Sequence, residues 1–266
     1  IETTSNLVST PQDPPQGKLQ HLINLYKQGK LQEALKHSKT LSQQYPNSCL
    51  LFTIIGTINK GLKHPEHSIQ AYKKALSINP NYTEAHNNMG NALQEQGKLD
   101  EAIKAYKKAL LINPNYKEAH NNMGLTIQKQ GKLDQALEVY NKAITINPNY
   151  ADAHYNIGNV LKEQGKSDKA VEAYNKAITI KPDLAEAYNN MGVALHDQDK
   201  QDEALKAYRK ALAIVPNYAE AHYNMGSTLQ EQRKFDEAIE AYKNAISIKP
   251  QYEEAYHNMG VSLREQ

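Results

Sequence analysis

The residues of this chain with the most evident chemical potential are side-chain amides that return at a fixed interval. The segment 84–90 reads EAHNNMG, and close variants follow every 34 residues as far as 254–260. Its alanine, its second asparagine and its glycine never change. Small residues can serve helix packing, whereas a primary amide offers two N–H donors and a carbonyl acceptor to a partner. The recurrent asparagines are Asn88, Asn122, Asn156, Asn190, Asn224 and Asn258.

The interval of 34 residues organises most of the sequence. Prolines at 46, 80, 114, 148, 182, 216 and 250 keep it, as do glycines from 56 to 260 and tyrosines from 72 to 242. A constant period of this length predicts a solenoid of stacked helix pairs. We number each repeat from place 1 to place 34, which puts the recurrent asparagine at place 6 and the proline at place 32. Full repeats begin at residues 15, 49, 83, 117, 151, 185 and 219, and half a repeat begins at 253.

Each repeat predicts two helices, at places 2–14 and 18–31, because both stretches have helical spacing and contain no proline. The turn between them often reads Gly-Lys, as at Gly97 and Lys98, and a glycine there is the usual left-handed stop of a helix. We therefore expect about fifteen helices and no strand. Small residues at places 8, 20 and 27 should let the two helix backbones of a pair approach closely, with the tyrosine of place 24 in the core.

This pattern resembles the tetratricopeptide repeat family over residues 49–266. The marks of that family in the repeat at 83 are Met89, Gly90, Ala102, Tyr106, Ala109 and Pro114, and the following repeats match equally well. Residues 15–48 match more loosely, because Leu22 stands at the glycine place and Ser38 at the aromatic place. The resemblance implies an all-α fold over residues 15–266, a right-handed α-solenoid of about seven and a half helix-turn-helix repeats. It also implies that the first helices line an inner, concave groove.

The polar face of the first helices is the predicted groove wall. On a helical wheel of repeat 83, Ala85 and Met89 share an apolar face, and Asn87 and Asn88 share the polar one. The place-6 asparagines would then form a row that meets an extended peptide about every third residue. Such a row resembles the asparagine ladder of O-linked N-acetylglucosamine transferases, which implies a sequence-tolerant grip on peptide backbones. Further groove candidates are the place-5 residues Asn87, Asn121, Tyr155, Asn189 and Tyr223.

Two interpretations stay open for the most regular polar places. The asparagines either bind a ligand or only satisfy neighbouring backbone and water. The acidic residues at place 2, such as Glu84 and Glu186, either stabilise the positive helix end or form an acidic lip that prefers basic or neutral peptides.

Composition excludes several other classes of function. The net charge is +2, which argues against a surface that follows nucleic-acid phosphates. Apolar runs are far too short for a membrane span. The in-phase histidines lie in successive repeats, too far apart for one metal ion, and there is no catalytic motif. A single cysteine, Cys49, excludes an intrachain disulfide and is compatible with a reducing compartment.

We therefore expect a protein-interaction scaffold that binds an extended peptide or protein segment, is not an enzyme, uses no cofactor and resides in the cytoplasm. Two alternatives are the substrate-recruiting arm of a larger glycosyltransferase and a self-assembly module. Residues 1–14 lack helical periodicity and are expected to form a flexible lead-in.

Overall fold

The computed structural model describes residues 12–266, so most of the predicted lead-in lies outside the described residues. Over that range the chain forms fifteen α-helices and no strand, which confirms the all-α prediction. None of these helices combines the length and the apolar composition that a membrane crossing needs. The helices are α1 Gln16–Lys27, α2 Leu31–Gln44, α3 Cys49–Gly61, α4 Pro65–Ile78, α5 Thr83–Glu95, α6 Leu99–Ile112, α7 Lys117–Lys129, α8 Leu133–Ile146, α9 Ala151–Glu163, α10 Ser167–Ile180, α11 Ala185–His196, α12 Gln201–Ile214, α13 Ala219–Glu231, α14 Phe235–Ile248 and α15 Glu253–Glu265.

The chain divides into two compact units, one ending at Gly131 and one beginning at Lys132. In the first unit each helix from α1 to α7 packs on the next, and the first helices α3, α5 and α7 also touch in turn. The second unit repeats the arrangement, with α9, α11, α13 and α15 as its successive first helices. Each unit is therefore a stack of helix pairs, because every pair buries its apolar face against its neighbours.

Helix boundaries fall one place earlier than the sequence predicts. In the repeat at 83, helices α5 and α6 cover places 1–13 and 17–30. Asn113, at place 31, is extended with φ −128° and ψ 93°. The ring of the following proline excludes the helical conformation there, so the second helix ends one residue sooner.

The turn within each helix pair takes one left-handed residue, as predicted. Gly97, Gly131 and Gly165 have φ values of 71–74°. Asp199 and Arg233 adopt the same conformation without glycine, at φ 62° and 58°. A side chain in this region costs roughly 1–2 kcal/mol, so the fold imposes the turn even where the residue opposes it.

A glycine-tyrosine contact forms the centre of five helix pairs. Tyr106 is fully buried, and a Cβ added to Gly90 would lie 2.5 Å from its ring. The same contact recurs at Gly56, Gly158, Gly192 and Gly226, with distances of 2.4–2.8 Å. The spacing of small residues predicts a close approach of two backbones at place 8. This prediction is corrected, because the nearest atoms belong to the tyrosine ring.

The first helix pair exchanges these two residues. Leu22 stands where other repeats have glycine, and Ser38 stands where they have tyrosine. Both are fully buried, and the Ser38 hydroxyl donates to the carbonyl of Leu35 at 2.8 Å. A large residue in the first helix and a small one in the second keep the total volume similar, which is the change that cores tolerate best.

Candidate functional site

The recurrent asparagines lie in the middle of a solvent-facing stripe on each first helix from α5 to α15. Places 2, 6, 9 and 13 are separated by four, three and four residues, so they share one side of an α-helix. In α11 these are Glu186, Asn190, Val193 and Asp197. The two acids are exposed, and the residues between them are half-buried. Each stripe thus presents an amide between two carboxylates wherever both ends are acidic.

The place-5 residues are less accessible than the helical wheel indicated. Asn87, Asn121 and Asn189 are only 4–7% exposed, although Asn87 was assigned to the exposed polar face. The aromatic residues Tyr155 and Tyr223 are half-buried. A wheel of one helix misses this burial, because the covering side chains come from other elements of the stack.

Hydrogen bonds join place 6 of one repeat to place 5 of the preceding repeat. The Nδ2 atom of Asn224 donates to Oδ1 of Asn189 at 3.0 Å. The equivalent bond links Asn122 to Asn87 at 3.2 Å. Where place 5 is tyrosine, the hydroxyl accepts instead, from Asn190 to Tyr155 at 3.1 Å and from Asn258 to Tyr223 at 3.2 Å. Each of these four asparagines is therefore hydrogen-bonded to the preceding repeat.

Further bonds, both within a repeat and between neighbouring repeats, extend this network. Asn189 donates from Nδ2 to Oδ1 of Asn190 at 3.2 Å, and Asn190 donates to Oδ1 of Asn159 at 3.0 Å. The amide of Asn190 thus makes three hydrogen bonds, which uses both of its N–H groups and its carbonyl oxygen. Asn88 likewise accepts from Asn87 at 3.4 Å. Asn156 lies half-buried at place 6 of α9.

Buried tyrosines of the second helices also donate hydrogen bonds to this network. The hydroxyl of Tyr174 donates to Oδ1 of Asn159 at 2.8 Å, and Tyr106 donates to Asn91 in the same way. Burial raises the pKa of Tyr174, so its hydroxyl stays protonated as a donor. Place 9 is a position of this network that the helical wheel did not identify. The sequence does contain a sign of it, because Asn91 and Asn159 stand three residues after the recurrent asparagine, on the same side of the helix.

The in-phase histidines have a structural role in the turns between repeats. Nε2 of His86 lies 2.9 Å from the carbonyl oxygen of Pro80, and His154 and His222 contact Pro148 and Pro216 in the same way. No group of three or more potential metal ligands occurs among the described residues 12–266. The rings therefore fasten the proline turn to the first helix.

Comparisons with known proteins agree with the repeat pattern. A family model described as TPR repeat matches residues 66–97, 90–131, 128–165, 158–199 and 194–233, and a model described as Tetratricopeptide repeat matches residues 219–252. A curated relative is the probable UDP-N-acetylglucosamine–peptide N-acetylglucosaminyltransferase SEC of Arabidopsis thaliana, 36% identical over 78 residues. That match covers 29% of this chain and 8% of the relative.

Solved structures of similar fold include MamA, YrrB and the Cut9–Hcn1 hetero-tetramer of the APC/C. MamA is 33% identical with a TM-score of 0.55, covering 62% of this chain and 97% of MamA. YrrB, described as a TPR protein with an unusual peptide-binding site, is 25% identical with a TM-score of 0.57, covering 71% of this chain and 97% of YrrB. The Cut9–Hcn1 structure has a TM-score of 0.76 at 17% identity, covering 91% of this chain and 48% of that one, and shows the fold alone.

The repeat models match the sequence without a gap from residue 66 to residue 252, well over half of its length. Helix pairs of the predicted period fill the same range. The chain therefore belongs to the tetratricopeptide repeat family, whose helix-pair architecture is suited to protein-protein interaction.

Proposed function

We propose that the chain is a non-catalytic scaffold that binds an extended peptide or protein segment along the row of place-6 asparagines in each unit. The amides contact the peptide backbone, so binding depends little on the peptide's side chains. The amides that contact a peptide are Asn88 and Asn122 in the first unit and Asn156, Asn190, Asn224 and Asn258 in the second. The place-5 residues Asn87, Tyr155, Asn189 and Tyr223 each hold the next asparagine of the same unit in position, and Asn121 is a further peptide contact.

The observation that carries this proposal is a half-exposed amide held in place by the preceding repeat. Asn224 uses one N–H group in its bond to Asn189. Its second N–H and its carbonyl oxygen keep their capacity for a peptide N–H and C=O. Because the side chain is already oriented, binding loses less rotamer entropy than it would with a mobile amide.

The individual rungs differ in their capacity to contact a peptide. Asn190 already makes three hydrogen bonds within the scaffold. A peptide can displace part of that network only by replacing its bonds, and this lowers the net gain. We therefore assign the stronger grip to Asn122 and Asn224, which have simpler inter-repeat bonds.

The similarity to YrrB supports a peptide ligand, because that relative is described as having a peptide-binding site. The acids at places 2 and 13 favour a basic or neutral peptide, since they flank the amides in stripes such as Glu220, Asn224 and Glu231. Neither feature favours nucleic acid, whose phosphates would face carboxylates.

A test of this function begins with a peptide selected from an array. Extended, weakly basic peptides are screened against the chain, and the tightest binder is titrated while the side-chain amide resonances are followed by NMR. We expect the Asn224 amide resonances to shift, while those of Asn175, exposed on α10, stay in place. Shifts confined to residues outside the first helices would contradict the proposal.

A second candidate function is the substrate-recruiting arm of a larger glycosyltransferase. It rests on the 36% identity over 78 residues to the curated N-acetylglucosaminyltransferase relative. The two candidates share the peptide site and differ in what the complete protein carries. The full-length reading frame decides between them, because a transferase requires a catalytic domain beyond these repeats.

A further inference from the structure

Helices α4 and α6, in the unit that ends at Gly131, border an apolar groove. Its volume is about 540 Å³, and its lining includes Leu76, Met89, Lys73, Lys108 and Leu111. Leu111 is 85% exposed at the rim of this groove. The groove is separate from the asparagine stripe, because it is formed mainly by second helices.

Leu111 departs from the repeat pattern. The equivalent place 29 is small or polar in the neighbouring repeats, at Ser77, Thr145, Thr179, Ala213 and Ser247. A single exposed leucine on a protein surface needs no explanation. This one, however, adds apolar area beside an existing groove, at a place where packing of the repeat does not require it.

The rim of the groove is strongly basic. Lys73 and Lys108 line it, and Lys74, Lys104 and Lys107 lie elsewhere on the same two helices; all five are exposed. Within residues 12–266 no carboxylate forms an ion pair with any of these five ammonium groups. The acids of the same helices lie in their first turns, at the opposite ends from Lys73 and Lys108.

A groove between α10 and α12 in the second unit shares repeat places 4, 7, 25 and 26 with this lining and has different properties. Its volume is about 280 Å³, and its lining includes the carboxylate of Glu203 and the ring of Tyr188. Tyr188 occupies the place of His86, which lines the larger groove. Large volume, an exposed leucine and an all-basic rim thus coincide in the first unit.

A second groove lies on the other side of α4. It measures about 560 Å³ and is lined by Phe52, Ile55, Lys39 and Lys74, among others, with no carboxylate in its lining. The ammonium group of Lys74 lies 5.9 Å from the centroid of the Phe52 ring. The basic and apolar character therefore continues across α4 and suits a ligand longer than one side chain.

We propose that the groove between α4 and α6 docks an acidic protein segment that carries a large apolar side chain. The apolar side chain lies between Met89 and Leu111, and flanking carboxylates pair with Lys73 and Lys108. A concave groove of this size fits a single side chain better than it fits the surface of a lipid bilayer. The phosphates of a nucleic acid would contact the lysines but leave Leu111 without a role.

The probe for this site is a fluorescein-labelled twelve-residue peptide of glutamates and aspartates with two leucines and two phenylalanines. We expect saturable binding that weakens about tenfold in Leu111→Ser, because the serine offers the peptide much less apolar contact area than the leucine does. The variant should melt like the parent, since Leu111 is 85% exposed. A double variant with Lys73→Glu and Lys108→Glu should lose binding.

Three controls make the outcome decisive. Lys210→Glu changes the equivalent lysine of the second unit and should leave probe binding unchanged. Asn224→Ala, which removes an amide of the asparagine row in the second unit, should also leave probe binding unchanged. A peptide with lysine in place of every acid should not displace the labelled probe. Unchanged affinity in Leu111→Ser, absence of probe binding, or a Leu111-independent preference for an oligonucleotide or phosphatidylserine vesicles would each overturn the proposal.

Discussion

The side-chain amide of Asn224 donates a hydrogen bond to Oδ1 of Asn189, 3.0 Å away, across the boundary between two repeats. Asn189 is 5% exposed, whereas Asn224 is half-buried on the stripe that faces solvent. One bond therefore connects the packing of the stack to the surface that we propose binds a peptide. The structural and the ligand-binding interpretations of the asparagine row are compatible, and each predicts a different measurement.

The glycine at place 8 should tolerate no side chain where a tyrosine ring covers it. A Cβ on Gly192 would lie 2.5 Å from the ring of Tyr208. We expect Gly192→Leu to lower the free energy of unfolding by about 1–3 kcal/mol or more, because the ring must move. Thermal melts check this. Gly260→Ala is the matched control, since a Cβ there meets nothing within 4 Å, and its melting temperature should not fall.

Replacement of Arg233 by glycine, the residue that other turns use, should stabilise the chain. Its φ of 58° is left-handed, and it occupies the place of Gly97 and Gly165. We expect Arg233→Gly to raise the free energy of unfolding by about 1 kcal/mol through relief of backbone strain. Gly165→Ala should lower it, because that glycine has φ 71°. Urea unfolding of both variants measures the effect, and a destabilised Arg233→Gly would refute the strain argument.

Removal of Asn190 should cost more stability than removal of Asn224. The amide of Asn190 makes three scaffold hydrogen bonds and that of Asn224 makes one. At roughly 0.5–1.5 kcal/mol for each bond, the expected losses are about 1.5–4.5 and 0.5–1.5 kcal/mol. Chemical unfolding of the two alanine variants gives the comparison. Equal losses would show that the additional bonds of Asn190 contribute little.

Alkaline pH should destabilise the chain through its buried tyrosines. Burial raises the pKa of Tyr242 and of Tyr218 to about 12, above the ordinary value of about 10. The unfolded chain therefore loses these protons first, so stability is complete below pH 10 and is lost as the pH rises toward 12. At pH 11, tyrosinate absorbance at 295 nm should be lower in the folded chain than in urea, and Tyr242→Phe should reduce the difference. Equal absorbance would contradict the burial.

The sequence predicted the repeat architecture well, because its determinants are local and periodic. Proline, glycine and tyrosine at a constant interval determined the number and the order of the helices. The boundary error at Asn113 came from the conformational effect of the following proline, which shortens the helix by one place. Leu22 and Ser38 looked like two weak matches, yet both are buried in one helix pair.

The site was predicted less completely, because its details depend on neighbouring repeats. A helical wheel placed Asn87 with the polar residues, but Asn122 of the next repeat binds it, and it is 4% exposed. Nor could the wheel reveal that Asn190 makes three bonds and Asn224 one. These differences arise from the residues at places 5 and 9, which vary among the repeats from residue 83 onward while the asparagine of place 6 does not.

The most direct test of the asparagine row combines a protein variant with a backbone change in the ligand. The tightest peptide from the array screen is made with single ester linkages in place of backbone amides, and each version is titrated by calorimetry against the parent and Asn224→Ala. In such a cycle, effects of the variant on the scaffold cancel. We predict one ester position that weakens binding to the parent by about 0.5–1.5 kcal/mol and leaves binding to Asn224→Ala unchanged. Equal ester penalties for both proteins at every position would contradict a backbone grip by this amide.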